Sequence, residues 1–495
     1  MGYITIWKKY KTNIIAMAAF VSWLWFFPLF GIVQTALEDG NGKMTFFNLV
    51  FLAATASGYV AFLYLRKRHS VQGMLVAVAP AAALAATWLV AILAWQLPAG
   101  NLTSWGYHAL AMYALLPFIM GFSGAIYFAS WGTTIYYIVP DERGRYMAAM
   151  VAAATFFYTV FVAVFYAAPL LALFLAGLGL FFPSLTTKKL ASFMEDSQKA
   201  GVPPTITFVK TDTAGKKINP WKSFWFPFSL TIFCFYILAW ETHAIVFSVI
   251  KEESIYLPIL GQAIYALTFV LAAYYLDREK EIEKMALFGL IVLGCSFLLL
   301  PVALPAEILW PLYYLLEVSY GFIDLFMWVS LAYFCHLLSG NPKTYYARGL
   351  LLNILFIIFG ITLMPLLTLH FEEEGYFILS ITAGIILFMG MLPALSLRKL
   401  RLAGHAVDGL SDIIDREMEK LKAHPDLQAE NFTRKEKEII TLLLADQKNT
   451  VIAEKLGISN NTLKTHIKNI YRKAQVKNRS ELLFKFAGLQ NNTKT

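Results

Sequence analysis

Charge is scarce in this chain. Asp, Glu, Lys and Arg together make up 15% of its 495 residues, against 58% hydrophobic and 16% aromatic residues, and mean hydropathy is +0.59. That balance excludes an ordinary soluble globular protein and a disordered chain alike. Cysteine is nearly missing: Cys234, Cys295 and Cys335 are far apart and each falls inside an apolar stretch, which excludes a disulfide framework and a thiolate zinc site. The sequence has no nucleotide-binding glycine loop, no histidine–carboxylate metal spacing and no nucleophile elbow. It is therefore read as a non-enzyme without a cofactor. It also lacks a βα receiver domain, which argues against phosphorylation of such a domain as a switch. The first apolar segment is closely followed by another and by no Ala-x-Ala-like site, so it is not read as a cleaved signal peptide.

What is present is apolar sequence in blocks. Between about residue 13 and residue 397 the hydrophobic residues come in runs of about 20, the length that crosses a hydrocarbon core as a helix. Twelve spans are expected, centred near 23, 55, 84, 122, 156, 175, 236, 267, 295, 324, 359 and 387, with the fifth and sixth meeting at Ala167-Ala168-Pro169. Lys and Arg set the orientation. One side receives Lys8, Lys9, Lys11, Arg66-Lys67-Arg68, Arg143, Arg145, Arg278, Lys343 and Arg348, while the other receives Lys43 and Lys251 beside acids such as Glu372-Glu373-Glu374. The basic side is cytoplasmic by this rule. An even number of spans then leaves both the N- and C-termini there, in a multi-pass membrane protein.

The membrane region, residues 1–401, looks duplicated. Tyr64-Leu65-Arg66-Lys67-Arg68 closes the second span and Tyr275-Leu276-Asp277-Arg278-Glu279 the eighth; Pro140-Asp141-Glu142-Arg143-Gly144-Arg145 follows the fourth, and Pro342 with Arg348-Gly349 the tenth. Offsets of about 205 to 211 residues fit two six-helix halves related by a parallel repeat. Basic, glycine-containing loops at these places resemble the major facilitator superfamily. The first loop lacks the Gly and Asp of that superfamily's Gly-x-x-x-Asp-Arg-x-Gly-Arg pattern, and the second keeps Asp277-Arg278. Two readings of the loop charges stay open: they drive a conformational cycle, or they anchor helix ends. The polar segment 186–222, with seven lysines against Glu195, Asp196 and Asp212, is read as a cytoplasmic linker between the halves that meets anionic lipid.

Beyond Leu402 the character changes. Residues 402–431 hold a short amphipathic helix (409–422) and a hinge, and residues 432–490 are soluble and basic. Thr433-Arg434-Lys435-Glu436 fits a capping box. The helix it opens carries Ile439, Ile440, Leu442, Leu443 and Leu444. A second, short helix holds Ile452, Ala453 and Leu456, Gly457-Ile458-Ser459 makes a turn, and a third helix from about Asn461 to Ala474 turns Leu463, Ile467 and Ile470 inward. That leaves Lys464, Thr465, Lys468 and Arg472 on the outward face, spaced for a major groove. A last helix opens near Asn478-Arg479-Ser480-Glu481. From Asn431 to Leu489 there are twelve Lys and Arg against five acids, a net of +7, the electrostatic footprint of phosphate contact.

This segment resembles the LuxR-type helix–turn–helix family at Thr433, Glu436, Ile452-Ala453, Leu456, Ile458-Ser459, Thr462, Lys464, His466, Asn469-Ile470-Tyr471, Lys473, Val476, Asn478-Arg479 and Glu481-Leu482. It departs at Asp446, where the family has Gly, at Val451 (Glu), and at Ala474-Gln475 (Leu-Gly). The resemblance implies a four-helix DNA-binding domain. In it Lys464, Thr465 and Lys468 approach base edges, Asn449, Thr450, Thr462 and Arg472 hold phosphates, and the last helix forms a homodimer contact on double-stranded DNA.

Ionisable groups within spans are costly and face a cavity or a partner. Glu317 and Asp324 lie two turns apart on the tenth span, and Glu241 and His243 lie toward the outer end of the seventh. The superfamily resemblance gathers the first, fourth, seventh and tenth spans around one cavity, so these four are read as the small-molecule or proton contacts, with interhelical pairing as the plainer alternative. His336 and Asn353, nearer the cytoplasmic ends, are read as structural. Trp23, Trp25, Trp88, Trp95, Trp105 and Trp225 are read as interface belts or core. The fold expected is all-α: a twelve-span bundle plus the helix–turn–helix domain. The function expected is a membrane-embedded one-component transcription regulator. The alternatives are an active secondary transporter with a regulatory DNA-binding tail, and a degenerate membrane anchor.

Overall fold

A computed structural model of the protein describes residues 3–26, 43–65, 69–96, 111–199, 219–249, 256–279, 281–303, 309–338, 340–368, 381–398, 432–444, 449, 452–453, 456–479, 481–482 and 485. Regular structure among them is helical throughout. The chain divides into two compact units, Met1–Arg401 and Leu402–Thr495, a division that coincides with the loss of apolar blocks in the sequence.

The first unit contains α1 (Tyr3–Leu24), α2 (Lys43–Tyr64), α3 (His69–Gln96), α4 (Leu116–Tyr137), α5 (Arg143–Ala167), α6 (Pro169–Gly179), α7 (Phe181–Lys199), α8 (Phe226–Val249), α9 (Tyr256–Glu279), α10 (Ile282–Ala303), α11 (Trp310–Leu337), α12 (Pro342–Thr368) and α13 (Ile381–Arg398). Ten stretches of the described helices are long and apolar enough to cross a membrane, and Leu171–Thr186 is a shorter apolar one. The protein is a multi-pass membrane protein. Two of the twelve expected spans are not among these ten: the first, whose apolar run continues past Phe26 into residues outside those described, and the sixth, which is divided at Leu180 into α6 and α7. Proline opens helices where its missing N–H costs nothing, at the starts of α4, α6 and α11. The Ala167-Ala168-Pro169 boundary falls as expected between α5 and α6.

Packing repeats between the halves. In the first, α1 lies on α5, and α2 and α3 lie on α4; in the second, α8 lies on α12, and α9 and α10 lie on α11. Across the interface α5 meets α9 and α2 meets α12, the two contacts that a twofold relation between halves interchanges. Small residues permit the closest approaches, as they do between helices in lipid. A Cβ at Gly121 of α4 would lie 2.2 Å from the Phe51 carbonyl oxygen of α2. Outward faces expose apolar side chains such as Leu267, Leu271 and Leu298, suited to lipid rather than water.

The segment read as a linker begins as helix. α7 continues to Lys199 and packs on α1, α3 and α4, with Thr133 Oγ1 donating to Met194 Sδ at 3.2 Å. Its polar residues do not interrupt it, because no Pro or Gly occurs between Ser184 and Lys199. The amphipathic helix and hinge at 402–431 lie outside the described residues.

The second unit is built on α14 (Arg434–Leu444) and α15 (Asn460–Lys473). Its core joins Phe432, Ile439, Ile440, Leu442, Leu443, Ile452, Ala453, Leu463, Ile467, Ile470, Ala474 and Leu482, with Leu456, Ile458, Tyr471 and Val476 packed against it.

Candidate functional sites

Between the two halves of the membrane unit lies a cavity of about 130 Å³. α1, α4 and α5 supply one wall, and α8, α9, α11 and α12 the other. Polar groups converge from the second half. Asp324 on α11 accepts hydrogen bonds from Tyr236 Oη of α8 at 3.0 Å and Tyr265 Oη of α9 at 2.9 Å, so each carboxylate oxygen takes one phenol. Glu317, two turns earlier and 4% exposed, has the Tyr313 hydroxyl as a hydrogen-bonding neighbour. Gln262 Oε1 and Asn353 Oδ1 are buried in the same lining with no hydrogen-bond partner. Aromatic faces complete it: Trp25 meets Tyr265 edge-on at 5.5 Å across the halves, and Trp131 meets Trp328 at 5.3 Å.

Of the four expected sensing residues, the structure brings Glu317 and Asp324 to this cavity. The side chains of Glu241 and His243 lie outside the described residues. Asn353, read as structural, also lines the cavity, on the face that α12 turns toward the first half. Trp25, read as interface belt or core, is buried and also lines the cavity. His336 is buried against Tyr136, with ring centroids 4.6 Å apart. The sequence reading missed Tyr236, Gln262, Tyr265 and Tyr320. A signal for Gln262 was present, as an uncharged polar residue inside an apolar span. Gln262, Tyr265 and Phe269 then follow at helical spacing on one face.

The basic loop after α4 makes specific contacts. Arg143 is buried and donates to three carbonyls, from Nε to Ile135 O at 3.0 Å and Ile138 O at 3.1 Å and from Nη2 to Tyr136 O at 2.9 Å. Glu142 accepts from Lys9 Nζ at 2.7 Å and Tyr10 Oη at 2.8 Å. Partial burial works against its ionisation, but these two donors outweigh it and hold the carboxyl below its usual range. Arg145 pairs with Asp277 of the second half.

In the second unit the capping box is formed. Thr433 N donates to Glu436 Oε2 at 2.8 Å, and Glu436 N donates to Thr433 Oγ1 at 3.2 Å. Lys473 Nζ, at the end of α15, reaches the same carboxylate at 2.6 Å. Glu436 is 4% exposed, and its burial opposes ionisation; the bonds from Lys473 and Thr433 prevail and lower its pKa. Ser459 caps α15 by accepting from Thr462 N at 3.0 Å. Asn478 Oδ1 accepts from Glu481 N at 2.9 Å where the last helix was expected to open. With Leu463, Ile467 and Ile470 buried, Thr462, Lys464, Thr465, Lys468 and Arg472 are exposed. Thr465 Oγ1 donates to Asn461 O at 3.1 Å, so its methyl and lone pairs are what it offers outward. Asn449 is exposed, and Thr450 lies outside the described residues.

The family model described as bacterial regulatory proteins, luxR family, matches residues 430–486. The C-terminal segment is a LuxR-family domain. Over 52 residues the chain is 44% identical to the monoamine regulon transcriptional regulator of Klebsiella aerogenes, which is 10% of this chain and 23% of that one. Over 90 residues it is 36% identical to the probable csgAB operon transcriptional regulatory protein of Salmonella typhimurium, covering 16% and 42%. The chain thus spans less than half the length of either regulator. The membrane unit has a different set of likenesses. An outward-facing bacterial homologue of the iron transporter ferroportin superposes with a TM-score of 0.51 at 13% identity, covering 81% of this chain and 100% of that one. The proton:xylose symporter XylE, of the major facilitator superfamily, gives 0.51 at 14%, covering 79% and 96%. These likenesses establish the major facilitator fold for the helices that precede the LuxR-family domain, and the fold alone.

Proposed function

We propose that the protein is a membrane-embedded one-component transcription regulator. A small molecule bound in the cavity between the halves shifts them between two arrangements, and residues 402–431 pass the shift to the LuxR-family domain, which binds double-stranded DNA as a homodimer. A ligand acts this way only through unequal affinity for the two arrangements. In this reading α1–α13 make twelve spans in lipid, both chain ends are cytoplasmic, and the domain completes the four-helix form of its family. Lys464, Thr465 and Lys468 then approach bases, while Asn449, Thr450, Thr462 and Arg472 hold phosphates. Glu317 and Asp324, with Glu241 and His243, serve the ligand. No step is chemical.

One observation carries the reading: a single polypeptide joins a LuxR-family domain with an exposed basic helix face to a transporter-fold unit with a carboxylate-lined cavity. The test is binding of the full-length protein in lipid nanodiscs to fragments of the surrounding genome, at graded salt, against scrambled DNA. Saturable, sequence-selective binding supports the proposal. Salt-sensitive binding without selectivity, or none from folded protein, counts against it.

The buried carboxylates of α11 also favour a second reading, an active secondary transporter whose tail reports flux. Substrate uptake by purified protein in sealed vesicles separates the two.

A further inference from the structure

We infer that the inter-half cavity takes a small organic ammonium ion, held by Asp324 and enclosed by aromatic rings. The inference rests on the sensing reading of this cavity and names the class of ligand.

Charge is the first argument. Among the described lining residues are two carboxylates, Glu317 and Asp324, and no Lys, Arg or His. A negative site walled by protein is a poor host for an anion and an unremarkable one for a neutral molecule; a cation gains most from it. Hydrogen-bond capacity is the second. Asp324 accepts one phenol hydroxyl at each oxygen and keeps lone pairs in reserve. Tyr265, having donated its proton to it, offers acceptor lone pairs, and so does Tyr236, which also has the Asn353 side chain as a hydrogen-bonding neighbour. Gln262 Oε1 and Asn353 Oδ1 are buried acceptors with no partner. Unpaired buried acceptors are costly, and a ligand rich in N–H donors satisfies them. The groups left unpaired therefore accept, although both amides also carry N–H donors.

The walls are the third. Eight of the nineteen described lining residues are aromatic, and tryptophan and tyrosine faces attract an ammonium through their quadrupoles. Spacing then separates an organic cation from a bare metal ion. Glu317 and Asp324 are seven residues apart on one helix, roughly 10 Å along its axis. A monoatomic ion at either carboxylate is left without the other, whereas an ammonium needs one carboxylate and ring faces for its carbon skeleton. Size is the fourth: a cavity of about 130 Å³ compares with the roughly 150 Å³ that admits benzene.

The experiment uses the full-length protein in nanodiscs and a charge series of matched shape: 2-phenylethylammonium, neutral 2-phenylethanol and anionic phenylacetate, with butylammonium and tetramethylammonium beside them. Binding is read by intrinsic tryptophan fluorescence and by thermal stabilisation. The expected result is saturable binding of 2-phenylethylammonium about tenfold or more tighter than 2-phenylethanol, with phenylacetate weaker still. Asp324→Asn then lowers affinity for the ammonium to that for the alcohol and leaves the alcohol unchanged. The wild-type series decides alone if that variant does not fold. Equal or tighter binding of the alcohol or the carboxylate overturns the inference, as does failure of all three ammonium probes to saturate. Repeating the DNA-binding assay with the same probes keeps the two proposals apart. An ammonium that binds without altering DNA affinity counts against sensing and leaves the ligand class standing. A response to the alcohol or the carboxylate alone does the reverse.

Discussion

Arg145 and Asp277 join the two halves of the membrane bundle, with the guanidinium Nε of α5 2.6 Å from the carboxylate Oδ2 at the end of α9. A second link, Lys343 Nζ of α12 to Gln72 Oε1 of α3 at 3.1 Å, also crosses between them. The halves also meet through rings that line the cavity: Trp328 lies edge-to-face with Phe128 at 4.9 Å and with Trp131 at 5.3 Å. Any movement that parts the halves at this end has to break both links and separate those rings.

Asp277→Asn should therefore favour the parted arrangement. The pair is partly screened by solvent and contributes about 1 kcal/mol, roughly fivefold in population. Cys335 is a native reporter, since it is fully buried on α11 next to His336, whose ring packs on Tyr136 of the first half. In a Cys234→Ser, Cys295→Ser background, its alkylation by a maleimide should quicken severalfold in the variant. The exchanged pair Arg145→Asp with Asp277→Arg should restore the slow rate. An unchanged rate in Asp277→Asn shows that the Lys343–Gln72 link and the ring packing hold this end closed without the ion pair.

Lys464 and Lys468 stand one turn apart on the exposed face of α15, and Arg472 lies one turn further along. If the lysines read bases, Lys464→Ala and Lys468→Ala should each weaken binding to the preferred site by about 1–3 kcal/mol and relax its sequence preference. Arg472→Ala, as a phosphate contact, should weaken all sequences alike and reduce the salt slope by about one ion. Titrations of each variant against preferred and scrambled DNA at several salt concentrations test the division. Uniform losses for the lysines move them to the phosphate group.

The two units differ in how far the sequence discloses them, and the reason is physical. In the LuxR-family domain one stripe of each helix meets a core and the other meets water, so Leu463, Ile467 and Ile470 name the buried face directly. Its caps are local as well: Thr433 with Glu436, and Ser459 with Thr462, pair across three residues and need no knowledge of the fold. In the membrane unit hydropathy locates helices but does not orient them, because lipid-facing and protein-facing sides are both apolar. Leu267 and Phe269 of α9 look alike in sequence, yet Leu267 is exposed and Phe269 is buried and lines the cavity. Asp324 stood out by its charge. The cavity position of Asn353 was hidden because distance along a span says nothing of the direction a side chain takes, and Tyr236 and Tyr265 resemble ordinary packing aromatics until the fold sets them around Asp324.

Glu436 ties the stability of the LuxR-family domain to pH. Its pKa in the folded domain lies below the ordinary 4.5 because Lys473 and Thr433 hold the charged form despite burial. A depressed carboxyl contributes stability that is present above the unfolded pKa and lost as pH falls through the folded one. Denaturant unfolding of residues 402–495, a unit with its own core, should therefore show stability falling as pH drops below about 4.5. Glu436→Gln should be less stable at neutral pH by about 1–2 kcal/mol, since glutamine keeps the capping box but loses the ion pair with Lys473. It should also show a shallower acid dependence. Parallel acid curves for the two proteins assign the acid sensitivity to other carboxyls.

Two helices of this domain end in the same hydrogen-bonded cap with different residues at its strained position. After Leu456, Gly457 takes φ 63°, and Ile458 N donates to the Ala453 carbonyl at 3.0 Å. After α15, Gln475 takes φ 54°, and Val476 N donates to the Tyr471 carbonyl at 2.9 Å. Both are Schellman arrangements, in which the residue after the cap must be left-handed and an apolar residue following it packs back on the core, as Ile458 and Val476 do. Glycine suits that conformation, whereas a side chain there costs about 1–2 kcal/mol. The LuxR pattern has Gly at the place of Gln475. Gln475→Gly should relieve the strain, partly offset by the greater freedom of glycine in the unfolded chain, for a net gain of about 0.5–1 kcal/mol. Gly457→Ala should lose about 1 kcal/mol or more at its own cap. Urea unfolding of both variants, with unchanged m-values, measures the pair. Gln475 is exposed, so its replacement removes no core contact. A destabilised Gln475→Gly variant shows instead that the glutamine side chain makes a favourable interaction larger than the backbone strain it carries.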